Sequence, residues 1–196
     1  MKHPSNRDLF AHWNDRRGDE LAPTRSDIDP GAIRLALADT FVLALDNTSS
    51  HPFRLAGTRL CALLGRELKG ESFIGLWEKP ARAALRELIA VVMEEKIGAV
   101  ASVTASVASD SVLTTNMELL LLPLANDRFS EPRLIGAMAP MAAPYWLGSK
   151  AVGPLRLGMF RHVGAAFDTM APRVTPASGG PAWPQGFTVY EGGRIE

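Results

Sequence analysis

The chain has 196 residues, enough for one domain with a substantial core plus extensions. Hydrophobic residues make up 46% and charged residues 21%, the balance of an ordinary soluble globular protein. With 21 basic and 21 acidic residues the formal net charge is +0, which argues against nucleic-acid binding, where Lys and Arg must neutralise phosphates.

Met1-Lys2-His3-Pro4-Ser5-Asn6-Arg7-Asp8 lacks the apolar centre of a signal peptide, so a cytoplasmic location is expected. Residues 8–17 have helical spacing, with Ser5 or Asn6 as cap and Leu9, Phe10 and Trp13 on one face; Gly18 and Pro23 end the pattern. Asp29-Pro30 predicts a cap and first turn, and a short helix through Ala36 or Leu37. Residues 40–46 are β-rich, residues 47–52 form a turn cluster, and residues 53–57 return as a second, antiparallel strand. Thr58 is placed to cap a short helix carrying Leu60, Leu63 and Leu64, which Gly65 terminates. A further helical piece begins near Ser72, with Phe73, Leu76 and Trp77 as its buried stripe.

Lys79-Pro80 opens the longest helix, running to about Lys96 with Leu85, Leu88, Ile89, Val92 and Met93 at its period and Gly98 as its stop. Three strands follow. In the first, Val103, Ala105 and Val107 alternate with Ser102, Thr104 and Ser106. The second spans roughly residues 113–124 and is apolar on both faces at residues 119–122, so both faces should be covered. The third, residues 133–141, carries Leu134, Ile135, Met138 and Met141. Tyr145-Trp146 marks the end of the unit, residues 154–163 hold a short strand or helix, and residues 172–196 are rich in Pro and Gly and read as a flexible tail. The expected organisation is therefore a flanking helix and linker over residues 1–27, a domain over 28–146, an extension over 147–171 and a tail over 172–196. Its fold class is α+β, a five-stranded antiparallel sheet with short helices on one face. No apolar run approaches the roughly 20 residues of a membrane helix.

This order of elements, the helix Leu9-Phe10-Ala11-His12-Trp13-Asn14-Asp15-Arg16-Arg17-Gly18, Ala22-Pro23-Thr24-Arg25, Ile28-Asp29-Pro30, residues 53–60, Gly65-Arg66-Glu67-Leu68 with Gly70, and Leu76-Trp77 together resemble the PAS domain family. More narrowly, they resemble bacterial stand-alone PAS proteins with an N-terminal helix. Leu155-Arg156-Leu157 with Arg161-His162 extends the likeness, which covers roughly residues 8 to 163. The resemblance implies a sensor or adaptor that binds a small molecule, a partner protein or both, with its ligand between the sheet and the short helices. The implied pocket is lined by Phe41, Leu43, Leu55, Leu60, Leu64, Phe73, Trp77 and Met138; the same residues at the same periods also describe a filled, dry core.

The better-known chemistries of such domains find little support. A haem sensor would place a histidine on the long helix, and residues 80–96 contain none; His12, His51 and His162 are expected on the surface. Cys61 is the single cysteine and is followed by Ala-Leu-Leu-Gly rather than a flavin-adduct motif, so it should pack as a small apolar residue. It has no disulfide partner, and one thiol among 4 scattered histidines makes no zinc site. No cofactor or metal is expected. There is no Gly-x-Ser-x-Gly elbow and no phosphate-cradling glycine run. Glu94 and Glu95 fit the solvated end of a helix; Arg54 and Arg59 flank the implied pocket and could meet an anionic ligand, but pairing with a carboxylate or plain exposure is the expectation; and no polar residue within the strongest apolar periods offers a buried acid or base.

No kinase, cyclase or DNA-binding pattern accompanies the domain, so its output is expected through a partner or self-association. A homodimer is predicted in which Leu9, Phe10 and Trp13 meet a sheet face carrying Leu120 and Leu122. The sequence thus favours a cytoplasmic, non-catalytic signalling protein that senses a small molecule or relays a signal by protein binding. The alternatives are a purely structural adaptor with a filled core and, further off, a small α+β enzyme.

Overall fold

The computed structural model describes residues 1–46, 49–126 and 131–164. The first helix, α1 (Pro4–Arg17), begins four residues earlier than the spacing of Leu9, Phe10 and Trp13 predicts. His3, not Ser5 or Asn6, caps it: its Nδ1 accepts the Ser5 amide at 3.2 Å, and Pro4 fits the first turn, where no amide donor is needed. The expected short helix after Asp29-Pro30 does not form. Residues 30–39 are a series of turns held by Ala36 N–H to Ile33 O, Asp39 N–H to Ala36 O and Thr40 N–H to Leu37 O. The Asp29 carboxylate accepts the Gly31 amide locally, and the Ala38 carbonyl accepts from Arg59 and Leu60. That carbonyl, rather than the Thr58 side chain, caps α2 (Thr58–Leu64). Gly65 ends α2 in the left-handed conformation, φ 68°, as its position in the sequence predicts.

After a single 3-10 turn over Ile74–Leu76, α3 (Ala81–Glu95) buries Leu85, Leu88, Ile89 and Val92. It stops two residues before the predicted glycine, at Lys96 with φ 54°; Gly98 is instead the first residue of the next strand.

The strands are β1 (Thr40–Ala44), β2 (Phe53–Ala56), β3 (Gly98–Val107), β4 (Asp110–Pro123), β5 (Arg133–Pro140) and β6 (Arg156–Val163). They form one antiparallel sheet in the order β2-β1-β5-β4-β3-β6. The α+β antiparallel architecture is the expected one, but the sheet has a sixth strand. β6 pairs with β3 from Gly98↔Val163 to Thr104↔Arg156. Packing also runs through the expected boundary at Trp146: Trp146, Val152 and Leu155 are buried in the same core as α2 and α3. Leu155 accepts the Glu78 amide and donates its own to Leu76. The Pro- and Gly-rich tail lies outside the described residues.

The sheet separates two apolar layers. The inner one lies under α2, the 3-10 turn and α3, and receives Val103, Ala105, Val107, Leu119 and Leu121. The outer one lies under α1 and residues 22–36, and receives Val42, Val100, Leu120, Leu122 and Ile135. The doubly apolar run in β4 is therefore covered on both faces, as its composition requires.

Candidate functional site

Four aromatic side chains stack at the centre of the inner layer. Phe41 lies against Phe73 (5.4 Å, stacked) and Phe53 (5.7 Å, edge-on), and Phe73 meets Trp77 edge-on at 5.8 Å. The sheet admits them because β5 carries Gly136 opposite Phe41: a Cβ there would sit 2.4 Å from the ring. Leu43, Leu60, Leu64 and Met138 are buried in the same cluster, so seven of the eight residues expected to line a pocket come together. The indole Nε1 of Trp77 is fully enclosed with no hydrogen-bond partner among the described residues, leaving one polar donor in an otherwise apolar interior.

Leu55 is the exception. A β-bulge in β2 pairs Phe53 with Leu43 and Leu55 with Val42, so Arg54 is the extra residue and the alternation reverses. Leu55 therefore leaves the inner layer and stands 44% exposed on the outer face. Arg54 pairs with Glu131, one of the two outcomes the sequence leaves open.

The residues proposed for a dimer interface are already used within the chain. Leu9, Trp13, Leu120 and Leu122 are buried together in the outer layer, Phe10 stacks on Trp13 at 6.2 Å, and Trp13 Nε1 donates to Pro123 O at 2.8 Å. The helix thus meets its complementary sheet face intramolecularly, and these side chains are closed to a second copy while it stays docked.

Two carboxylates the sequence did not single out hold α1 in place. Asp39 is buried, and its Oδ2 accepts from Ser5 Oγ of α1 and from Arg59 Nη1 of α2, both at 2.6 Å. Glu118 of β4 accepts the amides of Lys2 and His3 at 2.7 and 2.9 Å and Asn6 Nδ2 at 3.1 Å. Burial acts to raise the Glu118 pKa, but these hydrogen bonds and the amino-terminal charge outweigh it and hold the carboxyl below its ordinary value. Buried acids are therefore present, contrary to the expectation from the apolar periods, and both are engaged by their own chain. The signal in the sequence is slight: Asp39 interrupts an apolar stretch, and Glu118 follows Met117 just before residues 119–122.

The histidines divide. His51 is buried, not a surface residue: its peptide is held by Asp46 and by Phe73 N–H to its carbonyl, and desolvation lowers its pKa. His12 accepts the Asp29 amide through Nε2, and His162 lies on β6 beside Phe160. Cys61 is half-buried on α2 with Sγ 4.0 Å from a Glu67 oxygen. Among the described residues, no group of three His, Cys, Asp or Glu is placed to hold a metal ion, and no helix is long and apolar enough to cross a membrane.

Two grooves open on the outer face. One, about 760 Å³, lies over β3, β4 and β6 and is lined by Lys2, Ser102, Asn116, Glu118, Met159 and Arg161 among others. The other, about 500 Å³, lies between residues 28–38 and the β2-β1-β5 side of the sheet. Neither is lined by Phe41, Phe73 or Trp77.

No curated protein matches the sequence. Solved structures with some likeness include the LOV protein of Rhodobacter sphaeroides (14% identity, 55% of this chain and 61% of that one, TM-score 0.43) and the light state of the blue-light photoreceptor Aureochrome1 LOV (12%, 57% and 88%, 0.42). An RNA-binding light-oxygen-voltage receptor is a third (18%, 57% and 33%, 0.42). The chain spans less than two thirds of the length of the first and third, and likeness at this level carries no inference about ligands or partners. The family model for the PAS domain, by contrast, matches residues 1–139, the stretch that contains α1, both latching carboxylates, β1 to β4 and all but the last residue of β5, and the chain belongs to the PAS domain family.

Proposed function

We propose that this chain is a non-catalytic PAS signalling protein that converts an event at the inner layer, the arrival of a small molecule or a partner protein, into a change in how α1 is held. The supporting observation is the Ser5–Asp39–Arg59 chain. One carboxylate oxygen serves a helix on each face of the sheet, so α2 cannot shift without disturbing the attachment of α1. A released α1 would uncover Leu120 and Leu122, and those side chains would then be open to a partner or a second copy. Neither haem nor covalent flavin enters this function. No histidine lies on α3, and Cys61 lies on α2 followed by Ala62, Leu63, Leu64 and Gly65 rather than in a flavin-adduct motif.

The close packing of Phe41, Phe53, Phe73 and Trp77 favours a second reading, an adaptor with a permanently filled core. Hydrogen exchange tests the first. Arg59→Ala should speed amide exchange across residues 4–17 relative to the unmodified protein, and unchanged protection there would refute the relay. Native mass spectrometry of the purified protein separates the two readings: a retained small molecule supports a sensor, and a bare chain that captures a protein supports the adaptor.

A further inference from the structure

The 500 Å³ groove owes its floor to two departures from regular structure. The bulge in β2 turns Leu55 outward, and the failure of residues 30–39 to form a helix leaves a gap beside it. Ile33, Val42, Leu55 and Ile135 line the groove, and its volume falls in the range of about 300–1,000 Å³ typical of small-molecule sites. Arg25 and Arg34 line it too, and neither has an ion pair or hydrogen bond among the described residues. That is unusual for this region, where Arg54 and Arg59 are both paired with carboxylates. The nearby acids are occupied and do not line the groove: Asp27 accepts from the amide and hydroxyl of Thr24, and Asp29 from the Gly31 amide.

We infer that this groove binds a single-chain amphiphile whose anionic oxyacid headgroup, a carboxylate or a phosphate, is met by Arg25 and Arg34 while its alkyl chain covers Ile33, Val42, Leu55 and Ile135. Guanidinium forks match either headgroup, and an apolar floor rewards each methylene taken from water. The site is on the opposite sheet face from the aromatic cluster and does not depend on the Asp39 relay.

Titration calorimetry with decanoate, decyl phosphate, decanol and decylamine, each below its aggregation limit, tests the assignment. Decanoate or decyl phosphate should bind more tightly than decanol, with decylamine weakest, and the tighter of the two anions identifies the headgroup. Lengthening the preferred chain should tighten binding about fourfold per methylene. The double variant Arg25→Ala, Arg34→Ala, at one half-buried and one exposed position, should erase the advantage over decanol, while methyl resonances of Ile33 and Leu55 move on binding in the parent protein. Equal binding of decanol and the anions, or an anion preference that survives the double variant, would overturn the proposal. So would binding to anionic vesicles with none to the free amphiphiles, or Leu55 shifts that follow protein concentration alone, which would assign the groove to a membrane surface or to a second copy.

Discussion

His51 keeps its imidazole in the interior on a backbone with φ 49°, a left-handed conformation that Asn, Asp and His adopt more readily than other side chains. Desolvation lowers its pKa, so the unfolded chain holds the proton more tightly than the folded one. Its contribution to stability is complete above the unfolded value of 6.5 and is lost as pH falls through the lower folded value. Glu118 behaves likewise around a lower reference: its carboxyl is held below 4.5, so its contribution is complete above 4.5 and lost as pH falls beneath it. Urea unfolding between pH 7.5 and 3 should therefore show two separate declines. His51→Asn should flatten the first and Glu118→Gln the second; a Glu118→Gln profile parallel to the parent below pH 4.5 would contradict the latch at the start of α1. These two residues also show where sequence stops informing. Glu118 is buried and charged because the amides of Lys2 and His3, more than 110 positions away, arrive to meet it. No local period encodes such a meeting.

The elements were legible in proportion to the strength of their local pattern. The apolar stripe of α3 and the alternation of β3 each specify a period, and both formed where expected. Residues 30–39 carry a good helix start, yet the Ala38 carbonyl is drawn into bonds with α2 and the Asp39 carbonyl into one with Met138 of β5. β6 reads as either strand or helix because its sequence, Arg-Leu-Gly-Met-Phe-Arg-His-Val, has weak alternation and its side chains are mostly exposed; it is a strand because the edge of β3 is there to pair with. The bulge in β2 is the finest such case, since the insertion of Arg54 alone decides which leucine or phenylalanine faces the core. Truncation measures this directly. Phe53→Ala should cost about 3–5 kcal/mol in urea unfolding, whereas Leu55→Ala should cost less than about 1 kcal/mol. Comparable losses at the two positions would mean that the alternation is regular and that Leu55 belongs with the pocket-lining residues after all.

At the scale of the whole molecule, one sheet carries two cores that share no side chains, and a fold of this kind can lose one layer without the other. What joins the layers is polar. Asp39 sits at the entry to β1 with Ser5 on one side and Arg59 on the other, while its second oxygen, Oδ1, has no partner among the described residues. A carboxylate so placed depends on both of its donors, because losing either leaves a buried charge with half its compensation. Ser5→Ala and Arg59→Ala should therefore be non-additive even though the two side chains lie in different layers. A double-mutant cycle on unfolding free energy should give a coupling of about 0.5–3 kcal/mol, against the few tenths expected of sites without a shared partner. The same cycle in the background of Asp39→Asn should fall towards zero, since the shared charge is then gone. Coupling that persists without the Asp39 charge would place the communication between layers in the packing across β1 and β5 instead, and α1 would answer to the inner layer through apolar contact rather than through this carboxylate.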